Sequence, residues 1–175
     1  MSWRAAALLP VLACAALLGF GYYLQYGPRG LDPCPLCLVQ RGFFYAVGGV
    51  LLLAALHGRG RAVYGSLAAL FAAGGFAVAA RQVWLQHLPP DRVPQCGPDL
   101  YFMLENFPLS RTLKTLVSGT GECAVVDWTF LGLSIAEWSL GWFAALFVYA
   151  LWLALRGMRS SGADVTFPEV DGRYR

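Results

Sequence analysis

Four long stretches of this chain carry almost no charged side chains, and they restrict its fold more than any other feature. The first has no Asp, Glu, Lys, Arg or His between Arg4 and Arg29. As a helix its apolar part would reach about 33 Å, enough to cross a hydrocarbon core of about 30 Å. The four stretches are Ala5–Tyr26, Leu38–Leu56, Ala62–Leu88 and Trp138–Leu155. Because lipid forces backbone polar groups to bond within their own segment, each stretch predicts a membrane-spanning helix.

The composition agrees with an all-α membrane protein folded as a four-helix transmembrane bundle. Apolar residues make up 58% of the chain and charged residues only 13%, against about 25% charged residues in soluble proteins. A net charge of +3, with no basic patch or Gly-rich phosphate loop, argues against a nucleic-acid or nucleotide site. We predict one domain over residues 1–155 and a disordered tail over residues 156–175, where Gly, Ser and charges mix without periodicity.

The first stretch could instead be a signal peptide. Its apolar run exceeds the ~7–15 residues of a signal core, and no small-x-small cleavage site ends it. The segment before Cys14 faintly resembles a lipoprotein processing site, but the apolar run continues well beyond that cysteine. We therefore interpret the stretch as a spanning helix and Cys14 as a core residue that behaves as a small hydrophobe.

The arginines predict the orientation of the bundle. Four crossings put both termini and the link at residues 57–61 on one side, and that side is rich in arginine. Its arginines are Arg4, Arg59, Arg61, Arg156, Arg159, Arg173 and Arg175. The opposite loops carry most of the acids, which are Asp32, Asp91, Asp99, Glu105, Glu122, Asp127 and Glu137. Since the arginine-rich side of a membrane protein is cytoplasmic, the termini are expected inside and the loop cysteines outside, where disulfides persist.

The long second outer loop, roughly Pro89–Glu137, contains a pattern typical of a short surface-lying helix. Its apolar face comprises Leu109, Leu113, Leu116 and Val117, and its polar face Arg111, Lys114 and Thr115. The same apolar face would also suit a helix that packs on top of the bundle.

Cys34 and Cys37 form a Cys-x-x-Cys pair at the predicted start of the second crossing. Amide dipoles at a helix N-terminus stabilise a thiolate, which favours redox activity. Arg41 lies one turn later on the same helix face, and a guanidinium in an apolar crossing requires a partner or a task. Two alternatives stay open: a structural disulfide at the cysteines, and an arginine that extends to the membrane surface.

Cys96 and Cys123 are the other two loop cysteines. Four cysteines allow three pairings, and sequence alone does not choose among them, although adjacency favours Cys34 with Cys37. Both residues lie in loop sequence, where a disulfide is accessible to a partner protein and open to exchange.

The chain resembles the DsbB family of bacterial disulfide-bond formation proteins. The matching segments are Cys34-Pro35-Leu36-Cys37 with Arg41, Trp84-Leu85-Gln86, Cys96, Gly121-Glu122-Cys123-Ala124, Trp128-Thr129-Phe130-Leu131-Gly132-Leu133 and Trp138. They extend over roughly residues 5–155. The resemblance implies an enzyme of the bacterial inner membrane, a protein-disulfide oxidoreductase that uses ubiquinone or menaquinone as electron acceptor.

The resemblance also implies residue roles. A periplasmic DsbA-like thioredoxin-fold oxidase would form a mixed disulfide with Cys96, and Cys123 would then attack Cys34. Cys37 would be released as the thiolate facing the quinone, with Arg41 stabilising its charge. At the outer end of the third crossing, Gln82, Gln86 and His87 could donate hydrogen bonds to a quinone oxygen.

Two rival functions remain from the sequence. Vitamin K epoxide reductase-like proteins also use a membrane Cys-x-x-Cys, but late in the chain, whereas this pair is early. The other rival is a non-enzymatic scaffold braced by disulfides, which would be indifferent to quinone.

Overall fold

The computed structural model describes residues 3–95, 97 and 105–162; within these, the side chains at 111–114, 117 and 160–162 are left aside. Four helices in this part are long and apolar enough to cross a membrane, as judged by length and composition. They are α1 (Trp3–Tyr26), α2 (Pro35–His57), α3 (Arg61–Gln86) and α5 (Ile135–Gly162). The predicted all-α four-helix transmembrane bundle is therefore confirmed.

The helix ends follow local backbone chemistry. Cys34 occupies the N-cap of α2 and Pro35 its first position, where the missing N–H of proline costs no helical bond. Gly58 ends α2 with a left-handed φ of 67°, and Gly60 precedes α3 with a φ of 68°. The link between α2 and α3 is consequently tight, which forces the two helices to run antiparallel.

The bundle packs through a main apolar core that draws residues from all four long helices. α3 lies along both α5 and α2, and α2 lies along α1. Phe44 of α2 stacks on Phe143 of α5 with ring centroids 4.1 Å apart. A Cβ at Gly65 would lie 2.6 Å from the Ala154 backbone nitrogen, so this glycine lets α3 approach α5 closely. Large apolar side chains elsewhere on the helices are exposed, as expected for surfaces that face lipid.

The second outer loop contains the predicted short helix, here α4 (Leu109–Ser118). A 3-10 turn, Gly121–Ala124, follows it and holds Cys123. A short antiparallel hairpin comes next, with two residues in each strand, β1 (Thr129–Phe130) and β2 (Leu133–Ser134). This hairpin was not predicted from the sequence.

Most predicted helix boundaries differ from the structure by one to three residues, and the end of α5 differs by more. α2 begins at Pro35 rather than near Cys37. Proline is favoured at the first position of a helix, because the N–H that it lacks would have no acceptor within the helix. α5 continues to Gly162, seven residues beyond the predicted end at Leu155, so residues 156–162 are helical rather than part of a tail. The predicted disorder of residues 163–175 lies outside the described residues.

Candidate functional site: a thiol cluster at one end of the bundle

Three cysteines meet where α2 begins. The sulfurs of Cys34 and Cys37 are 3.2 Å apart as free thiols. Cys34 also shares a hydrogen bond with the thiol of Cys123, which lies completely buried. Cys34 therefore stands between two sulfurs, one from its own helix and one from the distant second loop.

The second loop reaches this position because it folds back over α2 and α3. Gly119 ends α4 with a left-handed φ of 77°, and a Cβ there would lie 2.8 Å from the Leu36 side chain and 2.7 Å from that of Leu85. Only glycine allows the loop backbone to approach the two leucines so closely. Cys123 then packs against Leu36 and Leu85 in a small apolar cluster.

The start of α2 donates to the Cys123 sulfur. The pKa of Cys123 is lowered to about 6, first by the hydrogen bond from Cys34 and then by the backbone N–H groups of Leu36 and Thr120, while burial opposes the shift. Leu36 belongs to the first turn of α2, whose amides have no helical acceptor of their own. From the sequence, the amides of this helix start were expected to act on the Cys34–Cys37 pair; the structure shows that one of them also donates to Cys123.

The pKa of Cys34 is shifted in the opposite direction. Its hydrogen bonds to Cys123 and Cys37, together with burial, raise the pKa of Cys34 far above the usual range of a thiol. A proton on Cys34 thus stabilises a thiolate on the neighbouring Cys123.

Gln82 of α3 closes the cluster from the other side. Its amide nitrogen lies 3.4 Å from the Cys34 sulfur and 3.3 Å from the Cys37 sulfur. Its oxygen accepts a 2.6 Å hydrogen bond from the buried side chain of Gln40. Gln82 therefore contacts both sulfurs of the predicted redox pair, and its predicted hydrogen bond to a quinone oxygen stays untested.

Gln40 was missed as a site residue by the sequence analysis. It stands in an apolar crossing, where a buried polar group is expected to have a partner. The third crossing contains two amides, Gln82 and Gln86, so Gln40 could have been expected to pair with one of them.

Arg41 is held by α1. Its guanidinium donates to Gln25 Oε1 at 2.6 Å and to the Gly21 carbonyl at 3.1 Å, and it lies 4.8 Å from the centre of the Tyr22 ring. It lies four residues after Cys37 on α2, as the sequence predicts, but its long side chain bends toward these acceptors. Its role toward a thiolate stays a prediction.

Gln86 and His87 make local hydrogen bonds near the end of α3. Gln86 Oε1 accepts from the Ser134 hydroxyl at 2.8 Å, and His87 Nδ1 lies 2.8 Å from the Val83 carbonyl oxygen. These contacts fix the hairpin and the helix end. The predicted quinone contacts of both residues stay untested.

Cys96 lies outside the described residues, but the residues on either side of it contact the loop just before Cys123. The Gln95 carbonyl accepts from the Gly121 N–H at 3.2 Å, and a Cβ at Gly97 would meet the Thr120 methyl group at 2.6 Å. Cys14 is buried in the middle of the bundle, as predicted.

These features define a multi-pass helical membrane protein with interacting thiols at one end of its bundle. A sequence model described as "Disulfide bond formation protein DsbB" matches residues 3–153. The chain belongs to this family, and the resemblance found in its sequence is confirmed.

Several relatives carry the name "Disulfide bond formation protein B". The protein from Azoarcus sp. is 52% identical over 143 residues, which cover 80% of this chain and 85% of the relative. The protein from Methylococcus capsulatus is 50% identical over 153 residues, covering 86% and 93%. That from Hahella chejuensis is 54% identical over 132 residues, covering 74% and 79%. The chain therefore spans most of the length of these relatives.

Proposed function

We propose that this protein oxidises the dithiol of a periplasmic DsbA-like thioredoxin-fold protein and passes the electron pair to a membrane quinone. The observation that carries the proposal is the position of Cys34, whose thiol is hydrogen-bonded to both Cys37 and Cys123. A sulfur that contacts two others can exchange a disulfide bond from one to the other without large motion. Membership of a family of disulfide bond formation proteins supports the same activity.

The first exchange begins at a Cys96–Cys123 disulfide. A thiolate of the partner attacks Cys96, a mixed disulfide forms, and Cys123 leaves as a thiolate. A leaving thiol of low pKa departs faster, and the backbone N–H groups of Leu36 and Thr120 lower the pKa of Cys123. The second thiol of the partner then displaces Cys96, so the partner departs oxidised and Cys96 becomes a thiol.

The second exchange transfers the electron pair to the first cysteine pair. The Cys123 thiolate attacks Cys34, the Cys34–Cys37 bond breaks, and Cys37 keeps the electron pair as a thiolate. Cys96 then attacks Cys123, which restores their disulfide and frees Cys34. The two reducing equivalents of the partner now reside on Cys34 and Cys37.

The residues beside Cys37 fit a quinone acceptor. A bound quinone, ubiquinone or menaquinone, would supply an acceptor for the two electrons and two protons that Cys34 and Cys37 release when their disulfide forms again. Cys37 is partly exposed, and Gln82 offers an amide N–H within 3.3 Å of its sulfur. Arg41 uses two N–H groups on α1, and a guanidinium has five, so it can be held there and still donate to an acceptor oxygen.

The distribution of charged residues supports a proposed orientation of the protein in the membrane. We place the protein in the bacterial inner membrane, with both termini cytoplasmic and the cysteine loops periplasmic. The arginine-rich end of the bundle and the acidic loops at the other end support this orientation. The periplasm is the compartment in which the partner and its disulfide would meet Cys96.

The proposal is tested by turnover of the purified protein in detergent. Reduced thioredoxin-fold dithiol protein and a soluble ubiquinone analogue are mixed with it, and quinone absorbance and partner thiols are followed together. We expect one quinone reduced for each dithiol oxidised. Cys34→Ser should abolish turnover, whereas Cys14→Ala, a matched change to a buried core cysteine, should leave it intact.

The same assay separates the rival functions. A scaffold would oxidise no partner whether quinone is present or absent. A reductase that runs electrons in the opposite direction would oxidise added quinol and convert the disulfide of the partner into a dithiol. Turnover that survives Cys34→Ser would exclude the proposed route.

A further inference from the structure

A basic cleft lies at the end of the bundle opposite the thiol cluster. Its volume is about 400 Å³, and the starts of α1 and α3 and the end of α5 enclose it. The polar and aromatic residues that line it are Trp3, Arg61, Trp152, Arg156 and Arg159. The thiol site does not use any of them.

The charge of this cleft is not balanced within the described part of the chain. Three guanidinium groups line it. The acids that the structure describes all lie at the other end, in the outer loops or, for Glu137, in the first turn of α5. They are Asp32, Asp91, Glu105, Glu122, Asp127 and Glu137. Three cations that converge without an anion among the described residues form a site of positive potential.

Aromatic rings hold two of the arginines in place. The guanidinium of Arg61 lies 5.4 Å from the centre of the Trp3 ring, and that of Arg156 lies 4.0 Å from the centre of the Trp152 ring. Stacking on a ring keeps a guanidinium oriented while its N–H groups remain free to bind an anion. The cleft is thus more ordered than a group of flexible surface arginines.

Trp3 supplies an independent observation. Its indole Nε1 is buried, yet it has no hydrogen-bond partner among the described residues. A buried donor without an acceptor is costly, and such groups in native proteins are usually satisfied by a bound molecule or water. This donor belongs to a side chain that lines the cleft and stacks on Arg61.

We propose that the cleft binds the phosphate of an anionic phospholipid from the leaflet at this end of the bundle. Basic pockets between spanning helices are suited to lipid headgroups. Leu151 and Leu155, on the same helix as Arg156, are exposed and offer an apolar surface for acyl chains. This apolar surface favours a lipid over free phosphate, although both carry the same anionic group.

The experiment uses the full chain, purified and depleted of lipid in detergent. Thermal unfolding is measured while phosphatidylglycerol, phosphatidylcholine with the same acyl chains, or inorganic phosphate is added. We expect phosphatidylglycerol to raise the unfolding temperature, with much smaller effects of the other two. Native mass spectrometry should retain phosphatidylglycerol on the protein in preference to phosphatidylcholine.

Variants locate the effect. Arg156→Gln should weaken phosphatidylglycerol binding roughly fivefold. Arg59→Gln is the matched control, because it removes the same charge from the neighbouring link without lining the cleft. If Arg156→Gln does not fold, Arg159→Gln takes its place with the same expectation.

Three outcomes would overturn the proposal. The first is equal stabilisation by the two lipids, and the second is an equal loss of binding in the Arg59→Gln control. The third is inorganic phosphate protecting as well as phosphatidylglycerol, which would identify a site for a soluble anion. None of these measurements depends on thiol oxidation.

Discussion

Gln40 fixes the orientation of Gln82. The Gln40 amide donates to Gln82 Oε1 at 2.6 Å, which leaves the Gln82 nitrogen 3.4 Å from the Cys34 sulfur and 3.3 Å from the Cys37 sulfur. The Gln82 oxygen is farther from the Cys37 sulfur, at 3.6 Å. An N–H favours a thiolate, whereas a carbonyl oxygen would repel it. A bond between two helices thereby determines whether Gln82 stabilises or opposes a negative charge on the cysteine pair.

The Gln40–Gln82 bond can be measured by a double-mutant cycle. Gln40→Leu leaves the buried Gln82 oxygen without its donor, which should cost about 1–3 kcal/mol of unfolding free energy. Gln82→Leu should cost a similar amount, and the double variant less than the sum, because both single changes break the same bond. Denaturation of the purified protein gives these values.

Gln86→Leu is the control for this cycle. Its side chain bonds Ser134 rather than Gln40, so its cost should add to that of Gln40→Leu. Full additivity between Gln40→Leu and Gln82→Leu would contradict the proposed orientation of the Gln82 amide.

The low pKa of Cys123 predicts a pH dependence. Since its value is about 6 instead of the ordinary 9.0, the thiolate should prevail at pH 7 and be lost only as the pH falls through 6. In the protein with Cys34 and Cys37 reduced, exchange of Cys123 with an added disulfide should therefore be nearly constant from neutral pH upward and slow down below pH 6. Stopped-flow measurement of disulfide exchange across this range checks the expectation.

The hydrogen bond from Cys34 is the main cause of the lowered pKa of Cys123 and can be removed by substitution. In a protein whose other cysteines, Cys14, Cys37 and Cys96, are changed to Ala, Cys34→Ala should raise the pKa of Cys123 toward 9. Cys34→Ser retains a donor and should keep the pKa low. Ultraviolet absorbance of the thiolate reports both, and the same pKa in the two variants would argue against the Cys34 hydrogen bond.

The helices could be predicted from the sequence because the physical requirement is simple. A crossing needs about 20 apolar residues, and each of the four stretches meets this length. The ends were less predictable: α5 continues past Leu155 to Gly162, since a helix need not stop where the lipid does. The hairpin at Thr129–Ser134 was missed because two residues per strand give no detectable alternation.

The site could be predicted only in part. The proximity of Cys34 and Cys37 follows from their spacing, whereas the contact between Cys34 and Cys123 depends on how the second loop folds back at Gly119. Helix periodicity put Arg41 on the face of the cysteines, but its side chain is long enough to reach Gln25 on α1. Helix periodicity predicts the direction in which a side chain leaves the helix, but not the position of the end group of a long, flexible side chain.

Cys96→Ser should leave quinone binding intact and abolish oxidation of the partner. The reason is that Cys96 is proposed to accept the partner in a mixed disulfide, while Cys34 and Cys37 donate to quinone. Quinone binding is measured by the quenching of protein fluorescence or by the quinone that the protein retains in mass spectrometry. Oxidation of the partner is measured by titration of its thiols. A serine variant that oxidises the partner at the normal rate would show that another cysteine is the entry point.

Arg41→Ala should impair quinone reduction more than reaction with the partner. Loss of a charge-assisted hydrogen bond corresponds to roughly a ten- to hundredfold slower step, whereas mixed-disulfide formation at Cys96 should be unchanged. Arg41 also ties α2 to α1 through Gln25 and Gly21, so unfolding is measured on the same samples. Gln25→Leu, which removes one of these ties but keeps the guanidinium, is the matched control for stability. If the Ala variant slowed both reactions equally and Gln25→Leu did the same, Arg41 would act by holding the helices together rather than by stabilising charge at Cys37.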